Sequence, residues 1–273
     1  MKRRVLPFLA AAAVTVGLLG ALTYSFFWDP TPYFASVDDD AAASTSRDDL
    51  DAAAARRTFF GHMSVGNNIL TGMEQVYAAQ EVEPPTQIDI APGDTPRLSD
   101  GGVVVHAMIG ENRHPVGKLA NFDATLRAGL ADQVDVAALK FCYIDIRWNS
   151  DVDALFERYR TTMARLEADF PRVQFIHMTV PLTTGPYGIR DHLKVLVGRN
   201  DNATRERYNA LMRETYGPDR LFDIAALEAT EPDGTLEKRE LFGGYSSDGA
   251  HLNEAGSARI AAAFIGFLAD GRR

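Results

Sequence analysis

Two hydrophobic patterns follow each other repeatedly along the chain, and together they predict strands separated by helices. Short apolar runs rich in β-branched and aromatic residues are typical of strands, whereas apolar residues spaced three or four apart are typical of helices. The predicted strands cover residues 58–63, 86–90, 134–144, 173–180 and 221–226, and residues 103–109 form either a further short strand or a loop. The predicted helices cover residues 65–79, 119–130, 151–170, 204–216 and 253–268.

The order of these elements favours an α/β fold. Strands that alternate with helices are typical of a parallel sheet covered by helices on both faces. Residues 134–144 are almost continuously apolar, as expected of a central strand that is buried on both sides. The pattern therefore predicts a three-layer α/β/α sandwich with about five parallel strands.

The N-terminus carries a separate hydrophobic signal. Basic residues at positions 2–4 precede a 24-residue uncharged run, residues 5–28, which is long enough to cross a bilayer with some tilt. The run ends in aromatic residues, like the aromatic belt at a membrane surface. We predict that residues 1–28 are an inner-membrane anchor and that the basic flank is cytoplasmic; a cleaved signal segment is the alternative.

The remainder of the chain divides into a linker and one domain. Residues 29–46 are rich in Asp, Ala, Ser, Thr and Pro without apolar periodicity, which predicts a tether. Residues 47–273 then form the folded domain. Either fate of the N-terminal segment places that domain in the bacterial cell envelope, facing the periplasm or exterior, or outside the cell.

Charge and cysteine content exclude several functions. The formal net charge is −9, which disfavours binding to nucleic acid. Cys142 is the only cysteine, so the chain has neither an internal disulfide nor a zinc site built from cysteines. Its apolar surroundings predict a buried structural thiol.

A candidate nucleophile follows the first predicted strand. Ser64 lies in the segment Gly-His-Met-Ser-Val-Gly, at the turn between that strand and its helix. Active-site residues of parallel sheets lie at the carboxyl ends of the strands. Free N–H groups at the start of a helix stabilise developing negative charge. The alternative is that Ser64 only caps the helix.

A candidate base precedes the last predicted helix. Asp248 and His251 stand three residues apart in Ser-Asp-Gly-Ala-His-Leu-Asn. A histidine in such a pair accepts a proton while the carboxylate fixes its tautomer. The alternative is an ordinary Asp-Gly turn with a solvated histidine.

The chain resembles the SGNH, or GDSL-type, hydrolases over about residues 57–268. The resemblance rests on a serine after the first predicted strand and Asp-x-x-His before the last predicted helix. The resemblance implies a flavodoxin-like fold and a triad of Ser64, Asp248 and His251. It also implies an oxyanion hole that uses the N–H of Ser64 and that of a glycine, for which Gly110 is the candidate. No cofactor or metal is implied.

The chain departs from this family in two of its motifs. Its first motif has two residues between Gly61 and Ser64, and the segment that ends the central strand lacks the asparagine of the family's third motif. Asn112 is the substitute candidate for the oxyanion donor. Asp145 could correspond to the third motif's closing aspartate. Asp145 and His62 are candidate substrate contacts, although His62 is equally consistent with a packed strand residue.

The expected activity is hydrolysis of ester or O-acetyl groups on carbohydrates or lipids outside the cytoplasm. An O-acyltransferase would use the same triad. Two further alternatives are a catalytically silent binding module on this scaffold and a metal-dependent hydrolase that uses His62, Asp248 and His251.

Overall fold

The computed structural model of the chain describes residues 34–99, 101–236 and 239–271, together with Gly17, Gly20 and Thr23. The predicted membrane anchor, residues 1–28, therefore lies almost entirely outside the described residues. Within the described residues, no helix is both long enough and apolar enough to cross a membrane.

A six-stranded parallel sheet forms the centre of the molecule. The strands are β1 (Arg57–His62), β2 (Thr86–Asp89), β3 (Val103–Met108), β4 (Val136–Leu139), β5 (Gln174–Met178) and β6 (Leu221–Phe222). Their spatial order is β2-β3-β1-β4-β5-β6, and every neighbouring pair is parallel. The prediction of about five strands was one strand short, because residues 103–109 form a strand rather than a loop.

Helices connect the strands and cover both faces of the sheet. In the described residues they are α1 (Ala41–Ser44), α2 (Arg47–Ala54), α3 (Val65–Ala79), α4 (Pro115–Arg127), α5 (Val152–Asp169), α6 (Gly188–Leu196), α7 (Asp201–Thr215), α8 (Ile224–Glu228) and α9 (Glu254–Asp270). Successive strand residues point to opposite faces. Phe59 accordingly packs in one core with α4, α5 and α7, and Phe60 packs in another with α2, α3 and α9. These two cores and the sheet make three layers.

The strands predicted at 134–144 and 221–226 are much shorter in the structure, because the apolar residues that follow β4 and β6 are buried without being extended. After β4, the Lys140 N–H still bonds to the Gly61 carbonyl at 3.0 Å. The chain then turns, and the Asp145 carboxylate accepts the Cys142 N–H at 2.7 Å. After β6, the Asp223 side chain caps α8, so residues 224–226 are helical rather than extended.

Part of the predicted linker packs on the domain. The Asp39 carboxylate, whose side chain is 2% exposed, accepts hydrogen bonds from the Tyr245 hydroxyl at 2.9 Å and from Arg259 at 3.0 Å. The ring of Phe34 packs against Gly243. The predicted tether thus includes residues that pack on the domain, which a composition rich in aspartate does not reveal.

Candidate active site

Ser64 occupies the turn between β1 and α3 with an unusual backbone conformation. Its φ is 51° and its ψ is −104°, a combination that costs a non-glycine residue on the order of 1–3 kcal/mol. The hydroxyl makes no capping hydrogen bond to α3. The interpretation of Ser64 as a simple helix cap is therefore wrong, because the hydroxyl is directed elsewhere.

The loop before α9 holds Asp248 and His251 in a fixed arrangement. Asp248 Oδ1 accepts the backbone N–H groups of Ala250 at 2.9 Å and His251 at 2.7 Å. Ser246 Oγ accepts the Gly249 N–H at 2.8 Å and donates to the His251 carbonyl at 2.8 Å. These bonds leave Asp248 Oδ2 free to meet the His251 ring.

The structure brings the three predicted residues into one hydrogen-bonded series. His251 Nδ1 lies 2.6 Å from Asp248 Oδ2, and His251 Nε2 lies 2.5 Å from Ser64 Oγ. An ionised carboxylate can only accept, so Nδ1 carries the proton and Nε2 accepts the Ser64 hydroxyl proton. This is the tautomer in which a histidine can deprotonate a serine.

The surroundings of His251 keep the Asp248 carboxylate charged and hold the His251 ring in place. Partial burial would raise the pKa of Asp248, but hydrogen bonds from the backbone and ring of His251 lower it below its ordinary value. The Tyr143 ring meets the His251 ring edge to face, with centroids 5.7 Å apart. Burial, and then the charge of Asp248, raise the pKa of the Tyr143 hydroxyl.

Two backbone N–H groups are available for an oxyanion. Neither the Ser64 N–H nor the Gly110 N–H donates a hydrogen bond within the described part of the chain. Gly110 follows β3 with a φ of 63°, and a Cβ there would lie 2.9 Å from the Lys118 backbone. Only glycine fits this position without strain. The assignment of Gly110 to an oxyanion hole stays a prediction.

The segment after β4, where SGNH hydrolases have an asparagine, contains Asp145, which forms a buried ion pair with Lys118. Lys118 Nζ lies 2.6 Å from Asp145 Oδ2 and donates to Asn112 Oδ1 at 2.9 Å. Asp145 also accepts the N–H groups of Arg113 and Cys142. The prediction that Asp145 contacts substrate is therefore wrong, because its buried carboxylate already has these partners. Asn112 is exposed with its oxygen bound, so its NH₂ group stays available.

His62 is a buried packing residue. Its ring stacks on Phe60 with centroids 4.9 Å apart, and its Nε2 lies 3.2 Å from His106 Nδ1. Gly66 makes room for it, since a Cβ there would lie 2.4 Å from the His62 ring. The ring is 0% exposed, so the prediction that His62 contacts substrate is wrong.

The predicted metal-dependent alternative requires His62, Asp248 and His251 to form one group. Among the described residues, no three histidine, cysteine or acidic side chains are grouped to hold a metal ion. His62 faces His106 in the protein interior, whereas His251 faces Ser64. The arrangement therefore favours the serine-based chemistry.

A polar cavity of about 340 Å³ is connected to the Ser64–His251 pair through Tyr143 and Thr184, although none of Ser64, Asp248 and His251 lines it. Tyr143 lines it and also touches His251, and Thr184 lines it and donates its N–H to the Gly249 carbonyl at 2.9 Å. Its charged lining residues are Arg113, Arg147, Asp191, Lys194, Arg199, Asp201, Arg205 and Glu240. The cavity is therefore suited to a polar ligand.

Sequence reasoning missed the residues that support His251 from this cavity. Arg205 Nε donates to the Tyr143 carbonyl at 2.7 Å, and its guanidinium lies 5.6 Å from the Tyr143 ring centroid. Burial lowers the pKa of Arg205 to about 10. Tyr143 follows the central strand, where strand ends converge, and that position was the available signal.

Cys142 confirms the prediction of a buried structural thiol. It is fully buried, and its Sγ donates to the Met63 carbonyl at 3.4 Å, one residue before Ser64. The thiol therefore packs behind the turn that carries the candidate nucleophile.

Comparisons with known proteins give only remote likenesses. No family model and no curated protein matches the chain. A protein provisionally named as a platelet activating factor from Streptococcus pneumonia aligns with 15% identity and a TM-score of 0.46, over 94% of this chain and 99% of its own. A second solved structure aligns with 17% identity and a TM-score of 0.42, over 80% and 97%. Likenesses at this level identify neither a family nor an activity.

Proposed function

We propose that this protein is a serine ester hydrolase of the SGNH type. The observation that carries the proposal is the hydrogen-bonded series from Ser64 through His251 to Asp248, with distances of 2.5 and 2.6 Å. The strained turn at Ser64 and the N–H groups of Ser64 and Gly110, which donate no hydrogen bond within the described residues, support the proposal. A structural serine and histidine would require neither feature.

The proposed reaction proceeds through an acyl-enzyme. His251 Nε2 takes the Ser64 hydroxyl proton as Oγ attacks the ester carbonyl, and the Asp248 carboxylate stabilises the imidazolium that forms. The tetrahedral intermediate collapses, the bond to the alcohol breaks, and His251 gives its proton to the departing alkoxide. Water then attacks the acyl group with His251 as base, which releases the acid and restores Ser64.

The N–H groups of Ser64 and Gly110 are proposed to hold the oxyanion, with the exposed NH₂ group of Asn112 as a third donor. Loss of one such donor typically lowers turnover by a factor of about 10²–10³. We therefore expect Asn112→Ala to keep the fold and to lower kcat on that scale. Near-normal turnover with the same circular dichroism would remove Asn112 from the mechanism.

The cavity beside the triad favours a polar substrate. Its lining contains five cationic and three anionic side chains. Hydroxyl groups can hydrogen-bond to both kinds, and the oxygens of an O-acyl group accept from the cationic ones. An O-acylated carbohydrate fits this lining better than a long hydrocarbon chain, which needs an apolar surface. With the predicted location outside the cytoplasm, this favours an envelope or exported carbohydrate ester.

A fluorophosphonate probe tests the nucleophile directly, because it phosphonylates an activated serine. We expect the intact mass of the wild type to increase by one adduct and that of Ser64→Ala to stay unchanged. Ser247→Ala, which removes an exposed serine from the loop of Asp248, is the matched control and should still be labelled. Absence of labelling in folded wild type would contradict the proposal and favour a silent binding module.

A further inference from the structure

Helix α6 presents apolar side chains to solvent instead of to the core. None of its nine residues is buried. Ile189, Leu193, Leu196 and Val197 are exposed apolar side chains at and just beyond the helix, and we call this group the outer face; Val195 is also exposed but lines the cavity. Leu196 is 80% exposed and Val197 is 68% exposed. Clusters of exposed apolar side chains are typical of interaction sites.

The orientation of α6 shows that the outer face is not a poorly packed core. At about 100° per residue, positions 189, 193 and 196 lie on one side of the helix, and positions 191, 194 and 195 lie on the opposite side. Asp191, Lys194 and Val195 line the polar cavity. The helix therefore directs a largely polar side inward and its apolar side outward, the reverse of an ordinary surface helix.

The N-terminal stretch from Phe34 lies against the beginning of α6. The Phe34 ring meets the ring of Tyr187, the residue that precedes the helix, with centroids 6.5 Å apart. Only residues 29–33 separate Phe34 from Trp28, the last residue of the predicted anchor. Six extended residues reach at most about 20 Å. A bilayer that holds residues 5–28 would therefore lie within about 20 Å of Phe34, whose ring contacts the residue before α6.

The stretch of chain that carries the outer face has a positive net charge. The stretch 188–199 contains Arg190, Lys194 and Arg199 against the single acid Asp191, in a chain with a net charge of −9. Lys194 is paired with Asp191 at 2.6 Å, and Lys194 and Arg199 line the cavity rather than the outer face. The Arg199 guanidinium lies 5.0 Å from the ring centroid of Trp148, which is 40% exposed. Tryptophan and basic residues beside an apolar helix face are typical of helices that lie in a membrane surface.

We propose that the outer face of α6 docks into the headgroup region of the anionic bilayer that anchors the chain. Docking would hold the cavity side of α6, and the Ser64–His251 pair beside the cavity, at the membrane surface. The proposal depends on the predicted anchor and not on the proposed hydrolysis, since the outer face contains no catalytic residue. It can therefore fail while the esterase assignment stands.

A single fluorescent label can test this, because Cys142 is fully buried. The full chain with Leu196→Cys, labelled with the polarity-sensitive dye NBD, is reconstituted in vesicles of phosphatidylcholine and phosphatidylglycerol. We expect its emission to be blue-shifted and quenched by lipids that carry a spin label on the acyl chain. Ala164→Cys, at an exposed position of α5, is the matched control and should show neither effect.

Adding Leu193→Glu to the labelled chain separates docking from mere proximity to the anchor. Because the new charge lies on the outer face, we expect lipid quenching at position 196 to fall at least severalfold. Quenching that is unchanged by Leu193→Glu would overturn the proposal, as would an emission at position 196 that matches that of position 164. A blue shift without lipid quenching would show that a protein surface covers α6. A chain that does not float with the vesicles would lack the anchor. Either result also overturns the proposal.

Discussion

Replacing His62 by glutamine tests whether its buried ring is neutral in the folded protein. Burial lowers the pKa of His62 to about 3, and the charges of Lys140 and His106 act in the same direction, whereas the ordinary value is 6.5. As the pH falls from 7.5 to 5.5, the unfolded chain therefore takes up a proton at this residue and the folded chain does not. Stability is consequently lost as the pH falls through this window.

The size of the loss follows from the same two pKa values. At pH 5.5, one unit below the ordinary pKa of 6.5, the His62 ring of the unfolded chain is about 90% protonated. The pKa of the ring in the folded protein lies far below both pH values. Lowering the pH from 7.5 to 5.5 therefore costs roughly 1.4 kcal/mol of unfolding free energy at His62. Glutamine can keep a hydrogen bond toward His106 but cannot titrate. The wild type should therefore lose roughly 1.4 kcal/mol more than His62→Gln between pH 7.5 and 5.5.

Urea unfolding of the full chain at both pH values, followed by circular dichroism, measures this difference. His192→Gln, which removes an exposed histidine, is the matched control for the substitution. The same pH dependence in the wild type and in a folded His62→Gln protein would refute the reasoning, because it would mean that the folded state tolerates a charged ring at this position.

Three further substitutions have expected outcomes. Asp248→Asn should lower kcat on an aryl ester by about 10⁴ without a change in circular dichroism, because the amide neither fixes the His251 tautomer nor stabilises imidazolium. Lys118→Met should lower the unfolding free energy in urea by about 3–5 kcal/mol, because Asp145 would keep a buried charge without its cation. Burial raises the pKa of Glu228 from 4.5 to about 8, so the unfolding free energy of the wild type decreases as the pH rises toward that value. Between pH 5.5 and 7.5 the wild type should lose roughly 2.5 kcal/mol of unfolding free energy relative to Glu228→Gln in urea unfolding.

Local pattern predicted the elements that carry the candidate nucleophile. The helix predicted at 65–79 is observed with the same bounds, and the strand predicted at 58–63 is observed one residue earlier. These two elements could be predicted because their apolar residues follow the strand or helix spacing without interruption. Helix α6 was not predicted, because it has only nine residues and the glycines and proline before it are typical of a loop.

The tertiary partners within the site could not be read from the sequence. The juxtaposition of Ser64 with His251 was predicted from two short motifs, and the structure shows it. The pairing of Lys118 with Asp145 joins residues far apart in the chain, and no local pattern indicates it. For the same reason, the burial of His62 against His106 could not be distinguished from exposure to a substrate.

Hydrolysis of a short-chain aryl ester by the full chain in detergent, compared between the wild type and Ser64→Ala, tests the central claim most directly. The Ser64–His251–Asp248 series predicts measurable turnover by the wild type and a kcat at least about 10³-fold lower for Ser64→Ala, with unchanged circular dichroism. Equal rates for the two proteins would contradict the assignment of Ser64 as the nucleophile.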